Sequence, residues 1–275
     1  MRRYRLLVVV FLAGLASSAA AHDLFLKLAD FLVQPAGEIR VTALNGTFTT
    51  SSNAVARARI ADLSLVGPLG REQLDTSMVT AAGTRTQIRA RVGPQGTYVM
   101  GLSTRPSEIT LKGPQFNDYL KEEGLGRVLE ARRKAGELEK GATERYAKHV
   151  KTIFQAGRHT SDSYKRALGY PVEIMPLRNP YDLHAGDTLR VRLLVDGKPA
   201  RGIEVLAGGR SAAGAAIKEV SLLADSTGVA PVVLRATGVW YVKFISMKHV
   251  TEAQADYISN WATLTFAVLP KGKGN

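Results

Sequence analysis

The sequence contains no cysteine among its 275 residues. Disulfide bonds, thiolate metal sites and cysteine nucleophiles are therefore excluded. A chain of this length can bury one large or two ordinary hydrophobic cores, so we expect packing alone to stabilise the fold. The five histidines form no HxH or HExxH pair, and there is no GxSxG motif and no phosphate-binding glycine loop. Because no recognised catalytic motif is present, we expect a protein that is not an enzyme.

The chain also lacks a long hydrophobic run, but it begins with the features of a secretory signal peptide. Three arginines among the first five residues precede an apolar run at 6–15, and small side chains follow at 17–21. The apolar run is too short to span a bilayer as a helix. The sequence therefore predicts a signal peptide at 1–21 and a periplasmic mature protein that does not span the membrane. Cleavage is expected after Ala19, Ala20 or Ala21.

Positive charge dominates the composition, with 37 Lys and Arg against 24 Asp and Glu. Removal of the three arginines in residues 1–21 would lower the net charge from +13 to +10. Such a protein adheres to acidic surfaces. The sequence has no cluster in which basic and aromatic residues alternate, and the predicted export also speaks against nucleic-acid binding. We therefore expect no nucleic-acid partner.

Short apolar runs bounded by turn residues fill the first part of the mature chain. In IRVTAL, the residues Ile39, Val41 and Ala43 share one strand face, and Asn45-Gly46 follows as a turn. The pattern predicts an N-terminal β-sandwich domain at 22–113.

The pattern changes near Pro114, where β-branched residues become rare and Lys, Glu, Leu and Ala become common. GRVLEARRKAGELEK has helical spacing. In TERYAKHVKTIFQAG, the residues Tyr146, Val150 and Phe154 suggest the apolar stripe of a second helix. We therefore predict a helical insert at 114–168.

Strand-like sequence returns for a C-terminal domain predicted at 169–270, with a short tail at 271–275. An internal echo supports two related units: AGEIRV before Asn45-Gly46 resembles AGDTLRV before Asp196-Gly197. DGKPARGIEV, ADSTG and GVWYVKF also resemble a transthyretin-like sandwich. The predicted fold is mainly β, with two Ig-like or transthyretin-like β-sandwich domains and a helical insert between them.

Several segments together resemble a family of exported bacterial proteins known as domain-of-unknown-function family 4198. They are AHDLFL, LNGTFTTSSNAVA, ERYAKHVKTIFQAG, ALGYPVEIMPLRNPYDLHAGDTLRVRLLVDGKP and GVWYVKFISMKH. The resemblance implies a periplasmic, β-rich protein and does not imply an enzyme. It also implies a link to transition-metal uptake, because some members are described as subunits of nickel-transport complexes. In some members a histidine stands near the position of Asn45.

His22 is the sharpest candidate for a metal ligand, because signal cleavage would leave it at or near a free amine. Cleavage after Ala21 would let its amine and imidazole chelate one ion, and cleavage after Ala19 would put the histidine third, where it wraps Cu(II) or Ni(II) in a square plane. Cleavage after Ala20 would make a weaker chelate. The other reading is that His22 merely follows the cleavage site. The predicted partners are three side chains around the end of a late strand: His249, Met247 and Asp256.

The sequence therefore supports two functions. The first is a periplasmic, non-catalytic binding protein that handles nickel, cobalt or copper beside an inner- or outer-membrane transporter. The second is an envelope β-sandwich module that binds carbohydrate or protein without metal. The second function requires an exposed aromatic patch.

Overall fold

The computed structural model describes residues 22–252 and 254–272, and the predicted signal peptide lies outside them. The first ten strands precede two helices. They are β1 (Asp23–Leu28), β2 (Leu32–Val33), β3 (Glu38–Gly46), β4 (Ser51–Asn53), β5 (Ile60–Gly67), β6 (Gly70–Gln73), β7 (Val79–Ala82), β8 (Arg85–Arg91), β9 (Gly96–Thr104) and β10 (Ser107–Leu111). The helices are α1 (Gly113–Glu122) and α2 (Gly126–Lys134).

The second half of the described chain continues with strands. They are β11 (Ala142–Ala156), β12 (Val172–Pro176), β13 (Thr188–Val195), β14 (Lys198–Pro199), β15 (Glu204–Ser211), β16 (Ala216–Leu223), β17 (Val229–Val233), β18 (Gly238–Glu252) and β19 (Ala255–Val268).

The strands form three sheets. The central sheet has ten strands in the order β16-β15-β18-β19-β11-β9-β5-β6, with β2 and β10 also paired to β11. The first small sheet has the order β1-β3-β8-β7, with β4 on β3. The second small sheet consists of β12, β14 and β17 around β13. The prediction of a mainly β protein is therefore confirmed.

The two small sheets cover opposite faces of the central sheet. Side chains alternate between the faces of a strand, and β11 has one lysine directed to each face. Lys148 contacts Asn45 of the first small sheet, and Lys151 contacts Glu173 of the second. One continuous core cluster contains buried residues of all three sheets. The sandwich layers therefore share their middle sheet.

The prediction of a second helix in TERYAKHVKTIFQAG is wrong, because this segment is the long strand β11. Its apolar residues suggested a helical stripe because β11 is buried on both faces and shows no simple alternation of polar and apolar residues. Glu144 and Lys148 are four residues apart, which on an exposed helix would allow an ion pair, but both side chains are buried in β11. The lysines that flank His149, Lys148 and Lys151, suggest a solvated face for it in the sequence, but His149 is 4% exposed.

The helical prediction is correct for the first part of the insert. The helices α1 and α2 pack on the central sheet through a second core cluster, which includes Phe116, Leu120, Ile245 and Trp261. Within the described ranges, neither helix nor any other is long and apolar enough to cross a membrane.

The internal echo corresponds to equivalent strands. β3 and β13 each lie in the interior of a small sheet, between β1 and β8 and between β12 and β17 respectively. Backbone hydrogen bonds precede both strands: Ala36 N–H donates to Gly93 O before β3, and Gly186 N–H donates to Leu234 O before β13. The return bonds run from Val92 to Gly37 and from Leu234 to Asp187.

The division into units at 22–113, 114–168 and 169–270 stays a prediction about folding units. The central sheet itself crosses these boundaries, because β5 and β9 join it from the first unit, β11 from the second, and β18 and β19 from the third.

Candidate functional site

The four predicted metal ligands lie at two separate places. His22 is half-buried immediately before β1, and its carbonyl oxygen accepts a hydrogen bond from Lys148 Nζ. Lys148 pairs in register with Trp261, and Trp261 pairs with Ile245. His249 lies four residues further along β18 than Ile245, which is roughly 13 Å along a strand. The structure therefore does not bring His22 and His249 together.

The other two predicted ligands do not surround His249 either. Met247 shares a strand face with His249, as expected, but it packs into the second core cluster. His249 instead stands edge-on against the ring of Tyr257, with centroids 5.1 Å apart. Asp256 is next to Tyr257 in β19 and therefore points to the opposite face. Its carboxylate accepts a hydrogen bond from the backbone N–H of Thr143 at 2.8 Å.

Around His22 the structure assembles a buried polar cluster that the sequence did not predict. Lys148 Nζ also donates to Asn45 Oδ1 at 2.8 Å. Beside His22, Asp23 Oδ2 lies 2.6 Å from Lys243 Nζ, and that ammonium lies 2.8 Å from Glu123 Oε2. His22 lies just before β1, which begins with Asp23. Lys148 comes from β11 and Lys243 from β18, and Glu123 caps the end of α1. We call these residues the β1 cluster.

Burial perturbs the protonation equilibria in the β1 cluster. Burial lowers the pKa of Lys148 to about 8, although Asp23 opposes the shift. Burial and the neighbouring Asp23 raise the pKa of Glu123 to about 7. Burial also acts against the charge on Lys243, but Asp23 and Glu123 outweigh it and raise the pKa of this lysine. The pKa of His22 is lowered by burial and by Lys148, so its imidazole is neutral at pH 7.

Two carboxylate oxygens at this end of the central sheet lack partners among residues 22–252 and 254–272. Glu144 Oε1 accepts hydrogen bonds from Tyr119 Oη at 3.1 Å and from the Ser259 hydroxyl, but its Oε2 is buried without a partner among the described residues. The same holds for Asp23 Oδ1. Burial raises the pKa of Glu144, while the bonds from Ser259 and Tyr119 oppose that shift. Unpaired buried acceptors are expensive, and they mark places where a cation or donor can bind.

A transition-metal ion fits this donor set only in part. The neutral imidazole of His22 and the free Oδ1 of Asp23 are suitable ligands. The described residues nevertheless hold no group of three His, Asp or Glu side chains arranged for a metal ion. Completing a coordination sphere here requires a further nitrogen, such as an amine freed next to His22.

A second polar arrangement resembles a hydrolytic triad in its residue types. Ser103 Oγ lies 2.9 Å from His149 Nδ1, and His149 Nε2 lies 2.9 Å from Asn260 Oδ1. Ser103 is 7% exposed and His149 is 4% exposed. Burial of both groups favours a structural hydrogen-bond chain between β9, β11 and β19 over attack on a substrate.

Sequence reasoning missed the charged members of the β1 cluster and named only His22. Lys148 and Lys243 both interrupt otherwise apolar strands, in YAKHV and YVKFI. A lysine inside a strand buried on both faces must find an oxygen partner. That signal was present, but it does not identify the partner.

A family model described as "Domain of unknown function (DUF4198)" matches residues 19–248. The chain belongs to this family. The match covers the β1 cluster and most of the described strands, and it confirms the resemblance noted from the sequence. No curated protein sequence matches the chain.

Two solved structures are similar over most of the chain. One is a two-domain fibronectin type III segment from chicken tenascin, with 13% identity, a TM-score of 0.19 and coverage of 87% of this chain and 98% of that one. The other is the BSP domain of a biofilm-associated protein, with 9% identity, a TM-score of 0.20 and coverage of 90% and 30%. TM-scores this low carry no information about the fold of this chain, which is defined by its three sheets.

Proposed function

We propose that this member of the DUF4198 family is an exported, non-catalytic binding protein that handles a transition-metal ion beside a membrane transporter. Nickel, cobalt and copper are the candidate ions, because their preference for imidazole and amine nitrogen matches the donors available at His22. In this proposal residues 1–21 are a cleaved signal peptide, the protein works in the periplasm, and the β1 cluster receives the ion.

The observation that carries the proposal is the environment of His22. Its imidazole is half-buried and neutral at pH 7, and the adjacent Asp23 has a buried oxygen without a partner. A neutral imidazole and a free carboxylate oxygen are ready to bind without losing a proton. Some family members carry a histidine near the position of Asn45; this chain lacks that imidazole, and Asn45 Oδ1 instead accepts a hydrogen bond from Lys148.

The positive charges of Lys148 and Lys243 oppose a cation, and the lowered pKa of Lys148 reduces that opposition. With a pKa of about 8, Lys148 loses its proton more easily than an exposed lysine. Metal binding at His22 is therefore expected to release a proton from Lys148, not from the ligands, and to strengthen as the pH rises from 6.5 to 8.

The competing proposal, a carbohydrate- or protein-binding module, receives less support. Four aromatic residues on β18 and β19 are candidates for a stacking platform: Trp240, Tyr241, Trp261 and Phe266. Trp240, Trp261 and Phe266 are buried in the hydrophobic cores, so they offer no face to a sugar. Tyr241 is half-buried, and its ring packs against Phe25 and Phe48, with centroids 5.2 and 4.8 Å away.

Calorimetric titration of the mature protein with Ni(II), Co(II) and Cu(II) tests the metal proposal. The protein must begin at its natural amino terminus, as determined by mass spectrometry, because an added residue moves the amine. We expect at least one ion to bind more tightly than about 1 mM, and His22→Ala to weaken that binding at least tenfold. His159→Ala, at an exposed histidine outside the β1 cluster, is the matched control.

Two results would overturn the proposal: binding that is unchanged in His22→Ala, or no ion bound below millimolar concentration. His249→Ala is an additional arm. The distance between the two histidines predicts that this substitution leaves the affinity unchanged.

A further inference from the structure

A cavity of about 450 Å³ lies between α2 and the ends of β18 and β19. Its volume is in the range of small-molecule sites. The wall on the helix side includes Val128, Ala131 and Ala135, which recur on one face of α2, and three charged residues line the cavity with them: Arg127, Arg132 and Glu137. The wall on the sheet side consists of Tyr257 and His249. The cavity is distinct from the β1 cluster, with which it shares no residue.

The floor of this cavity includes a buried cation. Arg132 is 2% exposed, and its guanidinium packs 4.9 Å from the ring centroid of Phe116. Its hydrogen bonds go to neutral oxygens: the side-chain oxygen of Asn117 at 3.2 Å and the backbone oxygens of Glu137 and Lys140, each at 2.6 Å.

Within the described part of the chain, Arg132 has no carboxylate within ion-pair distance, and its Nη1 makes no hydrogen bond. A buried guanidinium is ordinarily paired with an anion. Arg132 thus differs from the buried Lys151 and Lys243, each of which has a carboxylate partner. Arg127 and Arg132 give the cavity wall two positive charges against the one negative charge of Glu137, whose carboxylate lies 3.5 Å from Lys140 Nζ. The excess of positive charge favours a ligand that supplies a negative one.

We infer that this cavity binds a small organic anion, namely a carboxylate attached to an apolar body about the size of one ring. The carboxylate pairs with Nη1 of Arg132. The apolar body fills the space that the short side chains of Ala131 and Ala135 leave open, and it contacts the ring of Tyr257. His249, an exposed residue in the sheet-side wall, offers a ring nitrogen as a second polar contact. The inference goes beyond metal handling and does not require a metal ion.

Titration of the full mature chain with benzoate tests this site, with ligand-observed NMR and calorimetry as readouts. Benzamide has the same shape without the charge, and acetate has the charge without the ring. We expect benzoate to bind at least fivefold more tightly than either. Equal affinity for benzamide would overturn the carboxylate–Arg132 pairing, and equal affinity for acetate would overturn the role of the apolar wall.

Variants in α2 locate the binding. Ala131→Leu fills the cavity and is expected to weaken benzoate binding at least tenfold, whereas Ala131→Ser keeps the space and is expected to bind within about twofold of the parent. Neither change touches Arg132, so both variants should keep the parent's circular-dichroism spectrum. Arg133→Gln removes an exposed charge elsewhere on α2 and is the control for a non-specific effect of charge. Unchanged benzoate affinity in Ala131→Leu, or a tenfold loss in Arg133→Gln, would show that this cavity is not the site.

Discussion

Lys151 Nζ lies 2.9 Å from Glu173 Oε2, and the two side chains are 4% and 2% exposed. The pair joins β11 of the central sheet to β12 of the second small sheet. Glu173 Oε1 also accepts hydrogen bonds from the backbone N–H groups of Gly169 and Tyr170, at 2.8 and 3.2 Å. The buried charges are therefore satisfied from several directions, which is the condition under which a buried ion pair is tolerated.

Breaking this pair from one side is expected to be costly. Glu173→Gln leaves the Lys151 ammonium buried without an anion, and we expect a loss of about 3–5 kcal/mol in the free energy of unfolding. Adding Lys151→Met removes the unpaired charge. The double variant should therefore be at least about 1 kcal/mol more stable than the sum of the effects of Glu173→Gln and Lys151→Met, measured separately, would predict. Urea unfolding of the four proteins measures this coupling.

The exposed pair formed by Glu130 and Arg133 provides the control for the ion-pair cycle. Their nitrogen and oxygen lie 3.2 Å apart, with the side chains 49% and 64% exposed. Glu130→Gln should change stability by less than about 0.5 kcal/mol. Additive effects of the Lys151 and Glu173 substitutions would contradict the interpretation of the buried pair.

Gly101 in β9 is expected to tolerate no side chain. A Cβ atom there would lie 2.2 Å from Leu168 Cδ1 and 2.7 Å from Tyr170 Oη, and Tyr170 is held by a 2.5 Å hydrogen bond to Asp62. Gly101→Ala should therefore destabilise the protein by about 1–3 kcal/mol in thermal or urea unfolding. Gly126→Ala is the control, because a Cβ atom at the start of α2 meets no atom within 4 Å. Equal stability of the two variants would rule out tight packing at Gly101.

The sequence predicted the local features of the fold well. The turn pairs and the alternation around Val41 and Val191 identified β3 and β13, and the charged helical spacing identified α2. Such features depend on neighbours a few residues away. The echo between the two strands also reflected their equivalent positions in the small sheets.

The β11 segment and the β1 cluster could not be predicted because their causes are distant in sequence. The apolar residues around Val150 are compatible both with a helical stripe and with a strand buried on both faces. Only the sheets that cover β11 decide between the two. Lys243 pairs with Asp23 across 220 positions, and Lys148 with Asn45 across 103. The spacing of apolar residues therefore showed that these segments are partly apolar, but it did not show which groups contact the two lysines.

The helix α2 should open before the central sheet. Arg132 is its only buried residue, whereas β11 is buried along most of its length and pairs with β9, β10 and β19. Local unfolding free energy follows buried apolar contacts. In hydrogen exchange followed by mass spectrometry, we expect the amides at 130–134 to exchange before those at 146–154. Equal protection of the two segments would contradict this order.

His149 makes the stability of the protein sensitive to acid. The ring is buried between Ser103 and Asn260, and its centroid lies 5.7 Å from that of Tyr170. Burial lowers the pKa of His149, although the bond to Asn260 and the charge of Glu173 oppose the shift. Below the ordinary histidine pKa of 6.5, the unfolded chain therefore binds a proton that the folded chain does not. The free energy of unfolding consequently decreases as the pH falls.

His149→Gln removes this titration while keeping a side chain that can both accept from Ser103 and donate to Asn260. We expect the parent to lose stability faster than the variant between pH 7 and 5, with a difference in slope of at most about 1.4 kcal/mol per pH unit, the limit for one proton. Urea unfolding at half-unit steps of pH measures both slopes. His159→Gln is the matched control, because His159 is exposed, and it should follow the parent. Parallel curves for the parent and His149→Gln would mean that His149 is protonated in the folded protein as readily as in the unfolded chain. Its buried hydrogen-bond chain would then accommodate the charge, since rotation of the Ser103 hydroxyl would let it accept the new proton on Nδ1.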